Sequence, residues 1–509
     1  MSSTRATRTY RDAIDGLNSL QSNAQVIEQI RLSGGKGGEL QMVEGREYLK
    51  RIGYTPSDLD KLNVLHITGT KGKGSTSAFT DSVLRTIAPH AKTGLYTSPH
   101  LVAVRERIRI NGRPIDEHLF ARYFFEVWDR LEQDTQRADP TTPEKPAYFR
   151  YLTIMAFHVF MQEKVDATIL EVGVGGTYDS TNVVPRPIVT GVTSLGIDHI
   201  SVLGRTLPEI AHQKGGIYKP GVPALAVDQP AEGLDVLRSR AAELKAASFT
   251  VVPEIPQLHT VKLGLAGAHQ RINASLAVAL VQTFLASPRL PSAFSSLALP
   301  ACNGETQSTS LIAPVPLPEN IVRGLEQTKW PGRCQVEADA KAREMTWYLD
   351  GAHTVESLKC CGDWFAETAL QGRAPHTRAL VFNCTSGRSG HSLLSTLLAS
   401  VSTASTSPFQ HVIFCTNTTY SSGESKGDLT SNAVDPSDLS NLKVQHELSD
   451  AWQDLTATTL PTSSAKIHIL SSIQDAVELV RKENVKDVLV TGSLHLIGGV
   501  MEVAELPVS

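Results

Sequence analysis

A glycine-rich run with two lysines carries the clearest chemical signal in the chain. Residues 66–76 read HITGTKGKGST, in which a short apolar strand ends in glycines and a helix follows. Glycines allow backbone N–H groups to close around a phosphate, the helix N-terminus adds partial positive charge, and a lysine reaches the outer phosphates. The run therefore predicts a site for a nucleotide such as ATP, with Lys73 directed at its phosphates.

The spacing in this phosphate loop departs from the ordinary pattern. Only two residues separate its first glycine from the GKG that follows, and a glycine stands where Ser or Thr is usual. The residues predicted to contact ATP here are Gly69, Thr70, Gly72, Lys73, Gly74, Ser75 and Thr76. A second run, SGGKGG at residues 33–38, follows no strand and is interpreted as a flexible loop.

Two further strands end in residues that suit a metal ion. Glu171 closes an apolar strand just before glycines, and the strand at 188–195 leads to Asp198 and His199. The carboxyl ends of parallel strands share the edge of the sheet where ligands of open α/β folds bind. Glu171 and His199 are therefore predicted to hold magnesium beside the phosphates, with a hydrogen-bonded loop histidine as the alternative for His199.

Several segments, in a fixed order from about residue 64 to 500, resemble the folylpolyglutamate synthases of the Mur-ligase superfamily. The phosphate loop GTKGKGST has the form found in that superfamily. The other matching segments are YTSPHL at 96–101, RERIRING at 105–112, PAYFR at 146–150, EVGVGG at 171–176 and LGIDH at 195–199. The wording of YTSPHL and PAYFR is similar to the eukaryotic members. The resemblance implies a metal role for Ser98 and a substrate role for Arg105.

The resemblance also extends into later segments, where it implies further site residues. In GAHQRINA, Asn273 would meet the adenine edge, although a polar cluster at a helix start is the alternative. In WPGR, Arg333 would grip a phosphate bidentately, or else lie on the surface. In DGAHT, Asp350 and His353 would bind ATP or position glutamate, although many bacterial members carry Asn at the position of Thr354. Ser493 would contact the same amino acid, or merely end a strand.

Lys214 lies in HQKGGIYK, a segment similar to the family's stretch with a carbamylated lysine. An ordinary ammonium near magnesium would repel the metal, so the amine is expected to be biased towards its neutral form. Carbon dioxide would convert that amine into an anion able to support a second magnesium. A lysine that pairs with a phosphate or is solvated is the alternative.

The reaction implied by this resemblance is ATP-dependent addition of L-glutamate to the terminal carboxylate of a tetrahydrofolate (poly)glutamate. The carboxylate would attack the γ-phosphate to give an acyl phosphate, which glutamate's amine then captures. The expected cofactors are ATP and Mg2+, with a monovalent cation left open, and the catalytic candidates are Lys73, Lys214, Asp350 and His353. Dihydrofolate synthase is the nearest alternative, and a non-catalytic P-loop ATP-binding module is an alternative from another class.

The elements that must position these residues alternate between short apolar runs and helical patterns, which favours parallel sheets covered by helices. We predict an α/β protein: a Mur-ligase-like P-loop ATPase domain with a parallel-rich sheet at 1–300, a linker or insertion at 301–328, and a Rossmann-like C-terminal α/β domain at 329–509. Strands of the second domain are expected at 345–349, 379–382, 411–415, 466–470 and 487–490.

The bulk composition limits the classes of partner that this chain is expected to bind. With 509 residues, 41% hydrophobic and 20% charged, the chain is typical of a soluble globular protein, and its net charge of -4 gives no basic footprint for nucleic acid. No apolar run reaches the length of a membrane span. Six cysteines without Cys-x-x-Cys spacing indicate a reducing compartment. We expect a cytoplasmic protein, with a mitochondrial form left open, and family resemblance implies a monomer.

Overall fold

The computed structural model describes residues 8–21, 38–137, 139–140, 142–300, 316–371, 376–384, 389–422, 441–459 and 465–508. The chain divides into two compact units. The first comprises residues 1–100, 105–264 and 270–328, and the second comprises residues 101–104, 265–269 and 329–509. Among the described residues, no helix combines the length and apolar character needed to cross a bilayer.

The first unit is built on an eight-stranded sheet in the order β4-β3-β2-β5-β1-β6-β7-β8. The strands from β2 to β8 across this order pair in parallel, whereas β3 and β4 form an antiparallel hairpin at one edge. The central strand β1 is buried along its whole length, as expected for a strand covered on both faces. The strands are β1 Val64–Thr68, β2 Thr93–Tyr96, β3 Ile108–Ile110, β4 Arg113–Pro114, β5 Ala167–Glu171, β6 Val189–Val192, β7 Pro223–Val227 and β8 Ser248–Val252.

Ten helices accompany this sheet in the described part of the first unit. Residues 151–160 of α5 are buried without exception, so this part of the helix is covered on all sides and belongs to the core. The helices are α1 Tyr10–Ser19, α2 Gly38–Arg51, α3 Lys73–Ile87, α4 Glu117–Gln133, α5 Tyr148–Glu163, α6 Ile200–Leu203, α7 Leu207–Gly215, α8 Ala231–Glu243, α9 Gln270–Leu285 and α10 Glu319–Glu326.

The second unit has a six-stranded sheet in the order β13-β12-β11-β14-β10-β9, in which only the edge strand β9 is antiparallel to its neighbour. Its helices divide between the two faces. The strands are β9 Gln335–Ala338, β10 Thr346–Leu349, β11 Arg378–Phe382, β12 His411–Cys415, β13 Lys466–Leu470 and β14 Asp487–Thr491, and the helices are α11 Val355–Phe365, α12 Gly390–Val401, α13 Lys443–Thr459, α14 Ile473–Lys482 and α15 Leu494–Val503.

Two separate hydrophobic clusters cover this second sheet. Leu358 of α11, Leu394 of α12 and Trp452 of α13 pack on one face. Ile473 of α14 and Ile497 of α15 pack on the other. Helices on both faces of a mostly parallel sheet define the α/β class, so the structure confirms the predicted fold class.

The second half of the predicted linker at 301–328 is a helix in the structure. Residues 301–315 lie outside the described part, but residues 319–326 form α10, which packs on α3. Ile321 and Leu325 are buried, and a Cβ on Gly324 would lie 2.8 Å from the Cα of Val83. These few apolar residues bury against α3 because Gly324 lets the two backbones approach. The predicted loop at 33–38 lies outside the described residues except for Gly38, where α2 begins.

Candidate active site

The phosphate loop connects the end of β1 to the start of α3, as the sequence predicts. Gly72 caps α3 with a φ of +88°, in the left-handed region that favours glycine. A Cβ on Gly72 would lie 2.1 Å from Asn273 Oδ1, and a Cβ on Gly69 would lie 1.8 Å from Thr193 Oγ1. Both glycines are therefore required by close neighbours as well as by backbone conformation.

The backbone of this loop is held from the strand beside it. The N–H groups of Thr70 and Lys71 both donate to Ser194 O, at 2.9 and 3.0 Å. Thr76 N–H donates to Gly72 O within the first turn of α3. The N–H groups that precede Thr76 in α3 are the donors that a helix leaves unpaired at its N-terminus, so these groups can bind an anion.

The two hydroxyl groups predicted to contact phosphate differ in their surroundings. Ser75 Oγ lies 3.4 Å from Gln270 Nε2, which donates to it. Thr76 Oγ1 is buried and has no hydrogen-bond partner. The structure thus places Ser75 in a hydrogen-bonded position and leaves Thr76 with unused hydrogen-bonding capacity.

Three lysines concentrate positive charge around the loop. Lys73 Nζ donates to Gly69 O at 3.0 Å, and Lys214 Nζ of α7 donates to the same oxygen at 2.7 Å. Lys71 forms an ion pair with Asp198 at 3.5 Å. Burial, reinforced by the charge of Lys73, holds the pKa of Lys214 well below its usual value, although Asp198 and Asp179 oppose the shift.

Of the three residues predicted to bind metal, two lie in contact with each other. Glu171 ends β5 and is buried, and Ser98 N–H donates to Glu171 Oε2 at 3.4 Å. His199 precedes α6 with a φ of 50°; desolvation and then the charges of Lys73, Lys214 and Lys71 lower its pKa, while Asp198 raises it. The structure thus brings Ser98 to Glu171 and His199 to the lysines. Within the described ranges, no three His, Cys, Asp or Glu side chains group closely enough to hold a metal ion by themselves.

Two other predicted contacts in the first unit are engaged with protein groups. Asn273 is buried and its Nδ2 donates to Gln270 Oε1 at 2.9 Å, so it packs against the phosphate loop at Gly72. Arg105 is half-buried; its Nη1 donates to Ile115 O at 3.3 Å, and its Nε is buried without a partner. The roles of Asn273 at adenine and of Arg105 at substrate stay predictions.

In the second unit, Asp350 follows β10 and its carboxylate is fixed by three donors. Cys334 N–H and Sγ–H donate to Oδ2 at 2.8 and 3.4 Å, and Ala352 N–H donates to Oδ1 at 2.9 Å. Burial, and then the negative charge of Asp350, raises the pKa of the Cys334 thiol, which keeps the proton it donates. Sequence reasoning missed Cys334, because a lone cysteine gives no signal of this contact.

Two cationic or titratable groups lie near this carboxylate. A Cβ on Gly351 would lie 2.7 Å from Arg333 Nη1, so the guanidinium of Arg333 lies against the segment that carries Asp350. Burial lowers the pKa of His269, while the charge of Asp350 raises it and that of Arg333 lowers it. His269 was also missed, although it stands in the GAHQRINA segment from which only Asn273 was chosen.

The remaining predicted residues of the second unit serve local structure. His353 Nδ1 lies 2.7 Å from Gly351 O. Thr354 caps α11 in a capping box with Ser357, so its hydroxyl serves the start of this helix. Ser493 caps α15 by accepting from Leu496 N–H at 3.5 Å, in keeping with its structural alternative.

Comparisons with known proteins decide the family. A curated folylpolyglutamate synthase from Saccharomyces cerevisiae (strain FostersO) is 45% identical over 504 residues, covering 97% of this chain and 87% of that protein. The relative from strain YJM789 is 44% identical over the same length. The chain belongs to the folylpolyglutamate synthase family.

Solved structures of folylpolyglutamate synthases share the fold. The Mycobacterium tuberculosis enzyme complexed with ADP and AMPPCP is 22% identical, with a TM-score of 0.65 over 91% of this chain and 96% of that one. The apo form of the L. casei enzyme is 21% identical, with a TM-score of 0.65 over 98% of this chain and all of that one. At these identities the likeness establishes the two-sheet fold alone.

Residues 333–503 of this chain also match a family model, which is described as the dihydrofolate synthetase C-terminal domain. The match begins at Arg333 and includes Asp350, His353 and Ser493. The predicted family membership is confirmed, while the individual site roles stay predictions.

Proposed function

We propose that the chain adds L-glutamate to the terminal carboxylate of tetrahydrofolate (poly)glutamates at the expense of ATP. The observation that carries this proposal is the phosphate loop, with Lys73 and Lys214 converging on Gly69 O, in a chain 45% identical to a folylpolyglutamate synthase. Relatives of the same fold have been solved as complexes with ADP, AMPPCP and folate, which supports ATP and a folate as ligands.

The phosphate loop would stabilise the charge that develops during phosphoryl transfer. A folate carboxylate oxygen attacks the γ-phosphorus of ATP, the bond to the β-phosphate oxygen breaks, and ADP leaves with the electron pair. The N-terminal N–H groups of α3 and the Lys73 ammonium offset negative charge on the phosphates. The neutral amine of glutamate then attacks the acyl carbon, the C–O bond to phosphate breaks as inorganic phosphate leaves with the electron pair, and the nitrogen loses a proton to give the amide.

The residues around Glu171 suit magnesium. The buried Glu171 carboxylate, the Ser98 hydroxyl and the His199 ring would hold the ion, which supplies Lewis-acid stabilisation of the phosphate oxygens when bound. Magnesium at nucleotide sites takes one or two protein carboxylates and completes its shell with phosphates and water. The lack of a three-residue cluster among the described residues therefore agrees with an ion shared with ATP.

Lys214 would act as a carbamate. The buried position of its amine and the nearby charge of Lys73 favour the neutral form, which is the form that reacts with carbon dioxide. The resulting anion would lie near the cationic side chains of Lys73 and Lys71 and would support the magnesium shell. A monovalent cation remains part of the proposal without a residue assigned to it.

Asp350 and His353 would position the incoming glutamate. The Asp350 carboxylate is oriented by the N–H groups of Cys334 and Ala352, so it is a fixed acceptor for a protonated amine. Arg333 beside it would pair with a phosphate oxygen. Ser493 contributes its hydroxyl to the cap of α15 and would contact the amino acid through its other lone pair.

A second candidate activity is dihydrofolate synthesis from dihydropteroate and glutamate. The specific observation in its favour is the family model described as dihydrofolate synthetase, which covers residues 333–503. The yeast folylpolyglutamate synthases match 97% of this chain at 45% identity, far beyond the range of that family model, and this wider coverage favours tail extension. A non-catalytic ATP-binding module would hydrolyse no ATP in response to either acceptor. We also propose a monomer in the cytoplasm, with a mitochondrial form to be tested by fractionation.

The deciding experiment supplies purified protein with ATP, magnesium, labelled glutamate and one acceptor at a time. Mass spectrometry should show that tetrahydrofolate monoglutamate gains glutamate residues, and one ADP should form for each residue added. Dihydropteroate should gain none at a comparable rate. Glutamylation of dihydropteroate at an equal rate would replace the proposal with dihydrofolate synthesis or a bifunctional enzyme, and no glutamylation of either acceptor would reject both ligase activities.

A further inference from the structure

Gln229, two residues beyond the end of β7, grips the backbone of the neighbouring loop with both ends of its side-chain amide. Its Oε1 accepts from Leu195 N–H at 2.9 Å, and its Nε2 donates to Thr193 O at 3.0 Å. The residue is 9% exposed, so water competes little for these bonds. The paired donor and acceptor continue the ladder between β6 and β7 after the two strands have ended.

The residue between these two contacts is Ser194, whose carbonyl holds the phosphate loop. Ser194 O accepts the N–H groups of both Thr70 and Lys71, at 2.9 and 3.0 Å. Thr193 Oγ1 donates to Lys71 O at 2.6 Å. The amide of Gln229 therefore fixes the segment that in turn fixes two consecutive residues of the phosphate loop.

The same segment continues into the residues that face the lysines. Thr70 Oγ1 donates to Gly196 O and accepts from Gly196 N–H, both at 3.1 Å. Two residues further, Asp198 pairs with Lys71. A shift of residues 193–195 would therefore move the phosphate loop and the Asp198 segment together.

We propose that Gln229 is a positioning residue for nucleotide binding, acting through residues 193–195 on the phosphate loop. In this role Gln229 contacts neither the nucleotide nor the substrate. The inference rests on the proposed function for the identity of the nucleotide, and on the hydrogen bonds above for the coupling. Losing one of two buried hydrogen bonds corresponds to about a tenfold change in an equilibrium constant.

The test compares Gln229→Glu and Gln229→Met with Gln257→Met as a matched control. Glutamate keeps an acceptor for Leu195 N–H but turns an oxygen towards Thr193 O, and methionine keeps the length of the side chain without either bond. Gln257 is also a glutamine that holds a loop backbone, because its Oε1 accepts from Leu317 N–H at 2.7 Å, but none of its hydrogen bonds reaches residues 193–195.

The measurements are calorimetric affinity for ADP, which requires no turnover, and KM for ATP and for glutamate. Both Gln229 variants should weaken ADP binding and raise KM for ATP about tenfold or more, with KM for glutamate changed less than twofold and with unchanged circular dichroism. Gln257→Met should leave ADP affinity within twofold of the wild type. If Gln229→Met fails to fold, Gln229→Glu provides the same comparison.

Either of two results would overturn the inference: wild-type ADP affinity in a folded Gln229 variant, or equal losses in the Gln229 and Gln257 variants. Failure of the proposed function is separately visible, since wild-type protein would then bind ADP without adding glutamate to any folate. The calorimetric comparison still decides the role of Gln229 in that case.

Discussion

The side-chain nitrogens of Lys73 and Lys214 donate to one and the same acceptor, the carbonyl oxygen of Gly69. Lys73 comes from the first turn of α3 and Lys214 from α7, so two segments that are distant in sequence deliver donors to the phosphate loop. Two ammonium groups this close would repel each other, and burial together with the charge of Lys73 holds the pKa of Lys214 well below its usual value. The arrangement therefore favours a charged Lys73 beside a neutral Lys214 amine.

Lys73→Ala should abolish most of the activity while leaving the fold intact. The Lys73 side chain is half-buried, and among the described residues its one hydrogen bond goes to Gly69 O, so little stability depends on it. Removal of a charge directed at transferring phosphate is expected to lower kcat by roughly 100-fold to 1000-fold. Steady-state kinetics and thermal melting check this, with the exposed Lys61→Ala as control. Near-wild-type turnover in folded Lys73→Ala would remove the phosphate loop from the mechanism.

Gly72→Ala should impair ATP binding because its Cβ would lie 2.1 Å from Asn273 Oδ1. The matched control is Gly221→Ala, which has a similar positive φ, +70° against +88°, but open space around its Cβ. The control reports strain alone, about 1 kcal/mol. Gly72→Ala should raise KM for ATP at least tenfold more than Gly221→Ala. Adding Asn273→Ala should recover part of the loss, and the absence of any coupling in this double-mutant cycle would contradict the contact.

The three strands that carry the phosphate loop and the metal candidates, and five of the six strands of the second sheet, were predictable from the sequence. In the second unit, the expected strands at 411–415 and 466–470 agree with the observed bounds, and the other three differ by a residue at an end. Continuous runs of buried apolar residues, such as HVIFC, leave little freedom in a sheet covered on both faces. Glycines at the phosphate loop were equally informative, because backbone conformation and crowding both demand them.

The contacts that hold the site together were not predictable. Gln229 lies more than 30 residues from the loop that it holds, and Cys334, just before β9, reaches Asp350, just after the paired strand β10. Such hydrogen bonds depend on how far side chains extend in three dimensions, which neither periodicity nor motif spacing records. Residues 319–326 were assigned to a linker although Ile321, Val322 and Leu325 recur at helical spacing, because a helix of two turns is short beside the Ser- and Pro-rich stretch that precedes it.

Asp339→Asn should destabilise the second unit. The Asp339 side chain is fully buried; it accepts from Trp347 Nε1 at 2.9 Å and from Arg481 Nη2 at 2.7 Å. An amide would turn its own donor either towards Trp347 and Arg481, which share Oδ2, or towards the two backbone N–H groups that donate to Oδ1, and it would leave Arg481 without its counter-charge. We expect a loss of roughly 3 kcal/mol in the free energy of unfolding. Denaturant unfolding followed by tryptophan fluorescence measures this loss. Four of the five tryptophans lie in the second unit, namely Trp330, Trp347, Trp364 and Trp452.

The stability conferred by Asp339 should depend on pH. Burial opposes its ionisation, but hydrogen bonds from Arg481, Trp347 and two backbone N–H groups outweigh burial and lower its pKa. A carboxyl whose pKa falls on folding contributes stability above its unfolded pKa of about 3.9 and loses it as pH falls through the lower, folded value. The difference in free energy of unfolding between wild type and Asp339→Asn should have its full size above about pH 5 and should shrink below about pH 4. A difference that grows on acidification would refute this.

Lys214 should carry a carbamate in active enzyme. Its amine is buried beside Lys73, so the protonated form is disfavoured and the neutral amine that carbon dioxide attacks is available. The carbamate nitrogen keeps one N–H, which can retain the hydrogen bond to Gly69 O, while the new oxygens replace a repelling charge with an attracting one for magnesium. Carbon-13 NMR with labelled bicarbonate should show one carbamate signal that is lost in Lys214→Ala and kept in Lys219→Ala, the matched control with a second, half-buried lysine whose pKa desolvation lowers to about 8. Activity should fall at least about 100-fold in Lys214→Ala. An unmodified Lys214 in fully active, bicarbonate-supplied protein would reject the carbamate, whereas full activity in Lys214→Ala would remove this lysine from the site.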